Sequence, residues 1–181
     1  MLEILVAALL FATPAPTAAA PAPCANADTA KLAFLEGRWN VSSRFRLKPN
    51  PPEWEEAKGT AEIEYLHPGC VLIERLEMPR QGKAFKGSML YAFSPTFGKY
   101  QAMVTDSEHG GLFTYQGGFQ DGRLIVDAEL ELRGRKTLLR RVVSPRPDGF
   151  EIQDQRSVDG GQTWDTAWTL IYSRREEMPR D

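Results

Sequence analysis

Histidine is scarce in this chain: His67 and His109 are the two among 181 residues. Cysteine is equally scarce, with Cys24 and Cys70 alone. Metal centres need clustered His, Cys or carboxylate ligands, and isolated histidines with two cysteines supply neither a zinc site nor a disulfide framework. No metal and no cofactor are therefore expected. Also missing are G-x-S-x-G, H-E-x-x-H, a P-loop and a Gly-rich dinucleotide turn, which removes the common hydrolase, protease and nucleotide chemistries. An excess of either charge is lacking as well. Twenty-two basic residues face 24 acidic ones, so no broad field attracts nucleic acid or an anionic membrane. Long apolar runs are absent too. The stretch from Ile4 to Ala12 falls well below the roughly 20 residues that span a bilayer.

That run has the length of a signal-peptide h-region, and an Ala, Pro and Thr tract from Thr13 to Ala27 follows it. The n-region carries Glu3 and no Lys or Arg, which is atypical. The expectation is nevertheless an exported protein, periplasmic or secreted, with residues 1–27 a leader and Ala/Pro-rich linker and residues 28–181 the domain. Cleavage after Ala25-Asn26-Ala27 discards Cys24 and leaves Cys70 as a buried thiol. An earlier cut, after Ala19 for instance, retains both cysteines and permits a disulfide in an oxidising compartment. The sequence leaves that choice open.

From Gly37 onward the chain alternates in short segments broken by turn residues, the signature of strands. Breaks fall at Pro49 to Pro52, His67 to Gly69, Pro79 to Gly82, Ser94 to Gly98, Asp106 to Gly111, Gln120 to Gly122, Arg133-Gly134, Pro145 to Gly149, and Asp159 to Gly161. Such breaks delimit about ten strands, and links this tight join antiparallel neighbours. Leu124, Val126, Ala128, Leu130 and Leu132 alternate with mostly polar partners, so this segment keeps one wet face. The fold class is therefore all-β: a single antiparallel up-and-down barrel, closed because closure removes aggregation-prone edges. A two-sheet sandwich would need longer crossovers. Asp28 to Glu36 reads as a short helix, N-capped by Asp28, that covers one mouth.

Gly37-Arg38-Trp39 opens the first strand directly after that helix, and Tyr172-Ser173-Arg174-Arg175 ends the last. Together with Leu35-Glu36, the Pro68-Gly69 turn and Ser157 to Trp164, these residues resemble a bacterial lipocalin-like family of exported proteins without an assigned activity. The resemblance covers Leu35 to Arg175. It implies that Trp39 plugs the closed end of the barrel while Arg174 packs across it, a cation–π contact. Ser157 to Trp164 also fits the S-x-D-x-G-x-T-W Asp-box of sialidases. A single copy cannot build a propeller, so the motif is read as a well-capped hairpin. A related barrel family binds haem through a late-strand histidine, but no histidine follows His109.

Charge in an apolar phase gives the candidate site. Phe150, Ile152, Asp154, Arg156 and Val158 share one face, as do Trp164, Thr166, Trp168, Leu170, Tyr172 and Arg174. In the preceding strand Lys136, Leu138, Arg140 and Val142 form one phase, and Thr137, Leu139, Arg141 and Val143 fit almost as well. Choosing the first phase places Arg140, Asp154, Arg156, Trp168 and Tyr172 in the lumen as ligand-binding residues. Within it, Arg156 either pairs with Asp154 or helps anchor a ligand. The architecture resembles intracellular fatty-acid-binding barrels, which implies that Arg140, Arg156 and Tyr172 hold a carboxylate. The expected function is binding of a small hydrophobic or amphipathic ligand. Alternatives are an enzyme using Asp154 and Arg156 as acid and base, and a barrel filled by its own side chains. His109 with Asp106 and Glu108 is a lesser acid–base candidate at the mouth.

Overall fold

The structure is a computed structural model that describes residues 23–132 and 134–175. The expected leader in residues 1–22, and Arg133 of the expected turn, lie outside the described residues. Ten strands follow one another: β1 (Gly37–Pro49), β2 (Pro52–His67), β3 (Val71–Arg80), β4 (Lys83–Ser94), β5 (Lys99–Asp106), β6 (Phe113–Gln120), β7 (Arg123–Leu132), β8 (Arg135–Arg146), β9 (Gly149–Ser157) and β10 (Asp165–Arg174). Each pairs antiparallel with its sequence neighbours, and β1 also pairs with β10 from Trp39↔Arg174 to Phe45↔Trp168. The sheet is thus a closed up-and-down barrel. Closure joins the first and last strands, which in an open sheet would be free edges.

Register decides which side chains enter the lumen. Val41 faces Tyr172 and Ser43 faces Leu170 across β1–β10, and Leu170 faces Ile152 across β9. Ile152 in turn faces Val143 on β8, and Val143 faces Leu124 on β7. All but Ser43 and the Tyr172 hydroxyl are apolar, and each residue is less than a tenth exposed.

One end is sealed. A short helix α1 (Ala27–Ala30) and a 3-10 turn (Ala33–Leu35) cross it, and Leu32 and Leu35 are buried beneath. The helix begins one residue earlier than expected, and its cap is Asn26 rather than Asp28. The Asn26 side chain accepts from the amides of Asp28 and Thr29, while Thr29 Oγ1 accepts from the Asn26 amide. This reciprocal box satisfies donors that Asp28, already inside the first turn, cannot reach.

Trp39 lies just inside, with Nε1 donating to the Leu35 carbonyl at 3.0 Å. Phe150 packs edge-on at 4.9 Å, and the Arg174 guanidinium covers the indole at 4.4 Å. Gly37 has φ of +141°, and a Cβ there would strike Arg174. The glycine of G-x-W therefore makes room for the arginine that caps the tryptophan.

The described fold reaches upstream of Asp28. Cys24 is disulfide-bonded to Cys70 with Cα atoms 5.5 Å apart, tying the segment ahead of α1 to the β2–β3 turn. Cross-links of this kind stabilise mainly by restricting the unfolded chain. The Cys24→Ser/Cys70→Ser protein is expected to lose about 2–4 kcal/mol, read as a lower urea midpoint. An unchanged midpoint would mean the bond does not form.

The opposite end carries the β1–β2, β3–β4, β5–β6, β7–β8 and β9–β10 connections. In the last of these, Ser157 Oγ donates to Asp159 at 2.7 Å and accepts from the Gly161 amide at 2.8 Å. Asp159 also accepts from the Thr163 amide. The S-x-D-x-G-x-T-W motif is thus a capped hairpin. These donors hold the Asp159 carboxyl well below its ordinary range, led by the Ser157 hydroxyl.

Candidate functional site

Halfway along the lumen, polar groups interrupt the apolar lining. β3 presents Leu72, Glu74, Leu76 and Met78 in one phase, all buried. Glu74 is 3% exposed. Tyr91 Oη of β4 donates to its Oε2 at 3.1 Å, and Tyr172 Oη of β10 donates to its Oε1. Across the lumen, Arg141 of β8 is 7% exposed. Its Nε and Nη2 donate to the two Asp154 oxygens of β9, both at 2.6 Å. The remaining nitrogen, Nη1, meets the Met89 sulfur, a weak acceptor.

Burial dominates the electrostatics. It raises the Glu74 carboxyl above its ordinary 4.5, with Arg141 and the two tyrosine hydroxyls pulling the other way. Burial and then Glu74 push the Tyr91 and Tyr172 phenols well up. For Arg141, burial works against the charge, but Asp154 outweighs it and the guanidinium stays protonated.

A raised carboxyl has a definite sign in stability. The fold holds the Glu74 proton more tightly than the unfolded chain does. Its contribution is therefore complete below about pH 4.5 and is lost as pH rises through the folded value. Comparing urea midpoints of wild type and Glu74→Gln from pH 4 to 8 isolates this effect. Wild type should lose ground to the amide variant as pH rises; a constant gap would show that Glu74 titrates as it does in water.

Beside Arg141 lies a cavity of about 40 Å³, lined by Glu74, Leu76, Phe85, Met89, Trp168 and Leu170 among others. That volume holds about two or three waters. Trp168 forms one wall, its Nε1 donating to Ser43 Oγ at 2.6 Å and its ring edge-on to Phe85 at 5.5 Å.

Four expected positions need correction. Arg140 is outside the lumen: it makes a two-pronged pair with Asp127 at 2.8 and 2.9 Å and stacks on Trp164 at 4.0 Å. Both phases of β8 carry apolar residues, so hydrophobicity could not choose between Arg140 and Arg141, and the lumen takes Arg141. Trp164 and Thr166 do not continue the Trp168 face, because the β9–β10 register shifts between Thr166 and Trp168. This bulge switches the phase. Arg156 does not pair with Asp154. Its side chain is 44% exposed at the rim, 4.0 Å from Asp165, while both Asp154 oxygens are engaged by Arg141.

Asp154 and Tyr172 thus stand in the lumen, with Trp168 walling it and Arg156 at its rim. Both Asp154 oxygens are taken by Arg141 and Arg156 lies at the rim, which removes the geometric basis for acid–base work by an Asp154–Arg156 pair. At the mouth, His109 contacts Asp106 at 3.0 Å and is largely exposed, whereas Glu108 turns away to Arg80. Sequence reasoning missed Glu74 and Tyr91, and named Arg141 only in the β8 phase it set aside. The phase rule used for β9, applied to β3, would have exposed Glu74, which sits between Leu72 and Leu76.

No curated protein matches the chain. A family model described as "Protein of unknown function (DUF1579)" matches residues 25–174, which span every strand of the barrel. The chain belongs to the DUF1579 family.

Proposed function

We propose that the protein is an exported lipocalin-like carrier that binds a small amphipathic molecule in its lumen, an oxygen of the ligand's head accepting from Arg141 Nη1. The observation that carries this reading is a buried guanidinium with one edge saturated by Asp154 and the remaining Nη1 donating to a thioether beside a cavity. Charge-assisted bonds to oxygen are far stronger than a contact with sulfur. Buried ion pairs also seldom improve on apolar packing, so packing gives no reason for this one. Met89 has three rotatable bonds, and its movement would enlarge the cavity toward Phe85 and Leu76. Export is supported by the apolar run from Ile4 to Ala12 and by the Cys24–Cys70 bond, which persists in oxidising compartments.

Titration with straight-chain carboxylates of increasing length, followed by calorimetry, tests the reading. Saturable binding is expected, weakened about tenfold or more in Arg141→Met/Asp154→Leu, since one charge-assisted bond is lost, and unchanged in Arg140→Met. Equal affinities in all three proteins would overturn it.

The volume favours a second reading. About 40 Å³ is far below the roughly 300 Å³ at which ordinary ligand pockets begin. In that reading the barrel is filled by its own side chains and water, and native mass spectrometry of protein purified from its source finds no bound small molecule.

A further inference from the structure

The open end of the barrel contains a second polar arrangement, separate from the Arg141 centre. Arg80 closes β3 pointing inward, and its side chain is 9% exposed. Its guanidinium lies 3.7 Å from the Phe45 ring centroid, 5.1 Å from Trp168 and 5.3 Å from Phe85. Nη1 reaches Glu108 at 3.1 Å. Nε is buried and has no partner.

Glu55 is the β2 residue opposite Phe45, so it shares the inward face with the ring that Arg80 covers. Its Oε1 accepts from the Gln81 amide at 2.7 Å, which fixes the carboxylate beside the residue that follows Arg80. Its Oε2 is buried and unpaired. Among the described residues these two are the buried side-chain polar atoms without a hydrogen bond. One is a donor and the other an acceptor, and both flank Phe45. A buried polar group left unmet is unfavourable, and a donor and an acceptor beside one ring can be met by a common partner.

We infer that the mouth is a subsite for a neutral group that both donates and accepts, a hydroxyl or a primary amide, on a molecule whose apolar body lies against Phe45, Phe85 and Trp168. The ligand oxygen accepts from Arg80 Nε, and its O–H or N–H donates to Glu55 Oε2. A carboxylate satisfies Arg80 but has no proton for Glu55 and repels it. An ammonium has the reverse defect. The three rings also hold the guanidinium by cation–π attraction, so Arg80 is in place before anything binds.

Four six-carbon probes differing only in their heads test this: hexanamide, 1-hexanol, hexanoate and hexylammonium. The Trp168 indole N–H signal is followed by NMR in the full chain and in the Arg141→Met/Asp154→Leu background, where the deeper anchor is gone. In that background hexanamide and hexanol should shift it saturably, and the two ions should bind about tenfold more weakly, the effect of one buried group left unpaired. Glu55→Gln, a change of one atom, should bring hexanoate level with hexanamide, because the new amide can donate. Arg80→Lys removes Nε and should abolish the preference. Equal affinity for all four probes, hexanoate binding tightest in the double-variant background, or no saturable shift (water alone meeting the two groups) would each overturn the subsite. So would a response that is lost in that background yet unmoved by both mouth variants. The double variant separates this outcome from failure of the deeper Arg141 site, which carboxylate binding in wild type reports independently.

Discussion

Arg141→Met should destabilise the barrel by about 3–5 kcal/mol, because it leaves the half-buried Asp154 carboxylate without its two-pronged partner. Arg141→Met/Asp154→Leu should recover most of that loss, since replacing both charges by apolar groups of similar volume is often neutral or better. Urea unfolding of both single variants and the double closes the cycle. Strong non-additivity is expected; additive losses would mean that water reaches the pair and the centre is not dry. The same recovery makes the double variant usable as a folded, anchor-free protein in binding work.

Trp39→Ala should be comparably severe, at about 3–5 kcal/mol. The indole is 1% exposed, and its loss removes the packing of Phe150 and Tyr172 together with the bond to the Leu35 carbonyl. Arg174→Ala removes only the exposed lid of that stack and should cost about 1 kcal/mol. Thermal unfolding separates the two. A Trp39→Ala protein melting close to wild type would show that the sealed end is not held by this residue.

The barrel was legible because its turn residues sit between alternating segments, and short links leave a meander little choice. What the pattern could not carry was phase. In β8, Leu138 and Val142 balance Leu139 and Val143, so nothing apolar distinguishes Arg140 from Arg141; only the partner across β9, Asp154, does. In β10 the extra residue between Thr166 and Trp168 breaks the period, and a bulge leaves no compositional mark there. Glu74 was hidden differently. Its signal, a carboxylate among Leu72, Leu76 and Met78, was present, but β3 attracts attention for its hydrophobicity, and of its two acids Glu74 is the one in the apolar phase. The cap moved from Asp28 to Asn26 because both residue types cap well and Thr29 reaches back only to Asn26.

Features that look unrelated in the sequence meet in the barrel. Charged and phenolic groups from β3, β4, β8, β9 and β10 converge on one level of the lumen, and aromatic rings from β1, β4 and β10 frame the level above it. A filled barrel needs neither arrangement. The proposed carrier would use both, the lower for a head that accepts from Arg141 and the upper for the end of the molecule nearest solvent.

Selective ¹³C-methyl labelling of Met89 during titration with decanoate addresses the carrier reading at its source. If the lumen receives the head, the Met89 methyl signal moves as the thioether leaves Arg141, saturates with the ligand, and does neither in Arg141→Met/Asp154→Leu. A methyl signal that stays fixed up to millimolar decanoate in the wild-type protein would contradict the carrier reading and leave a barrel packed by its own side chains.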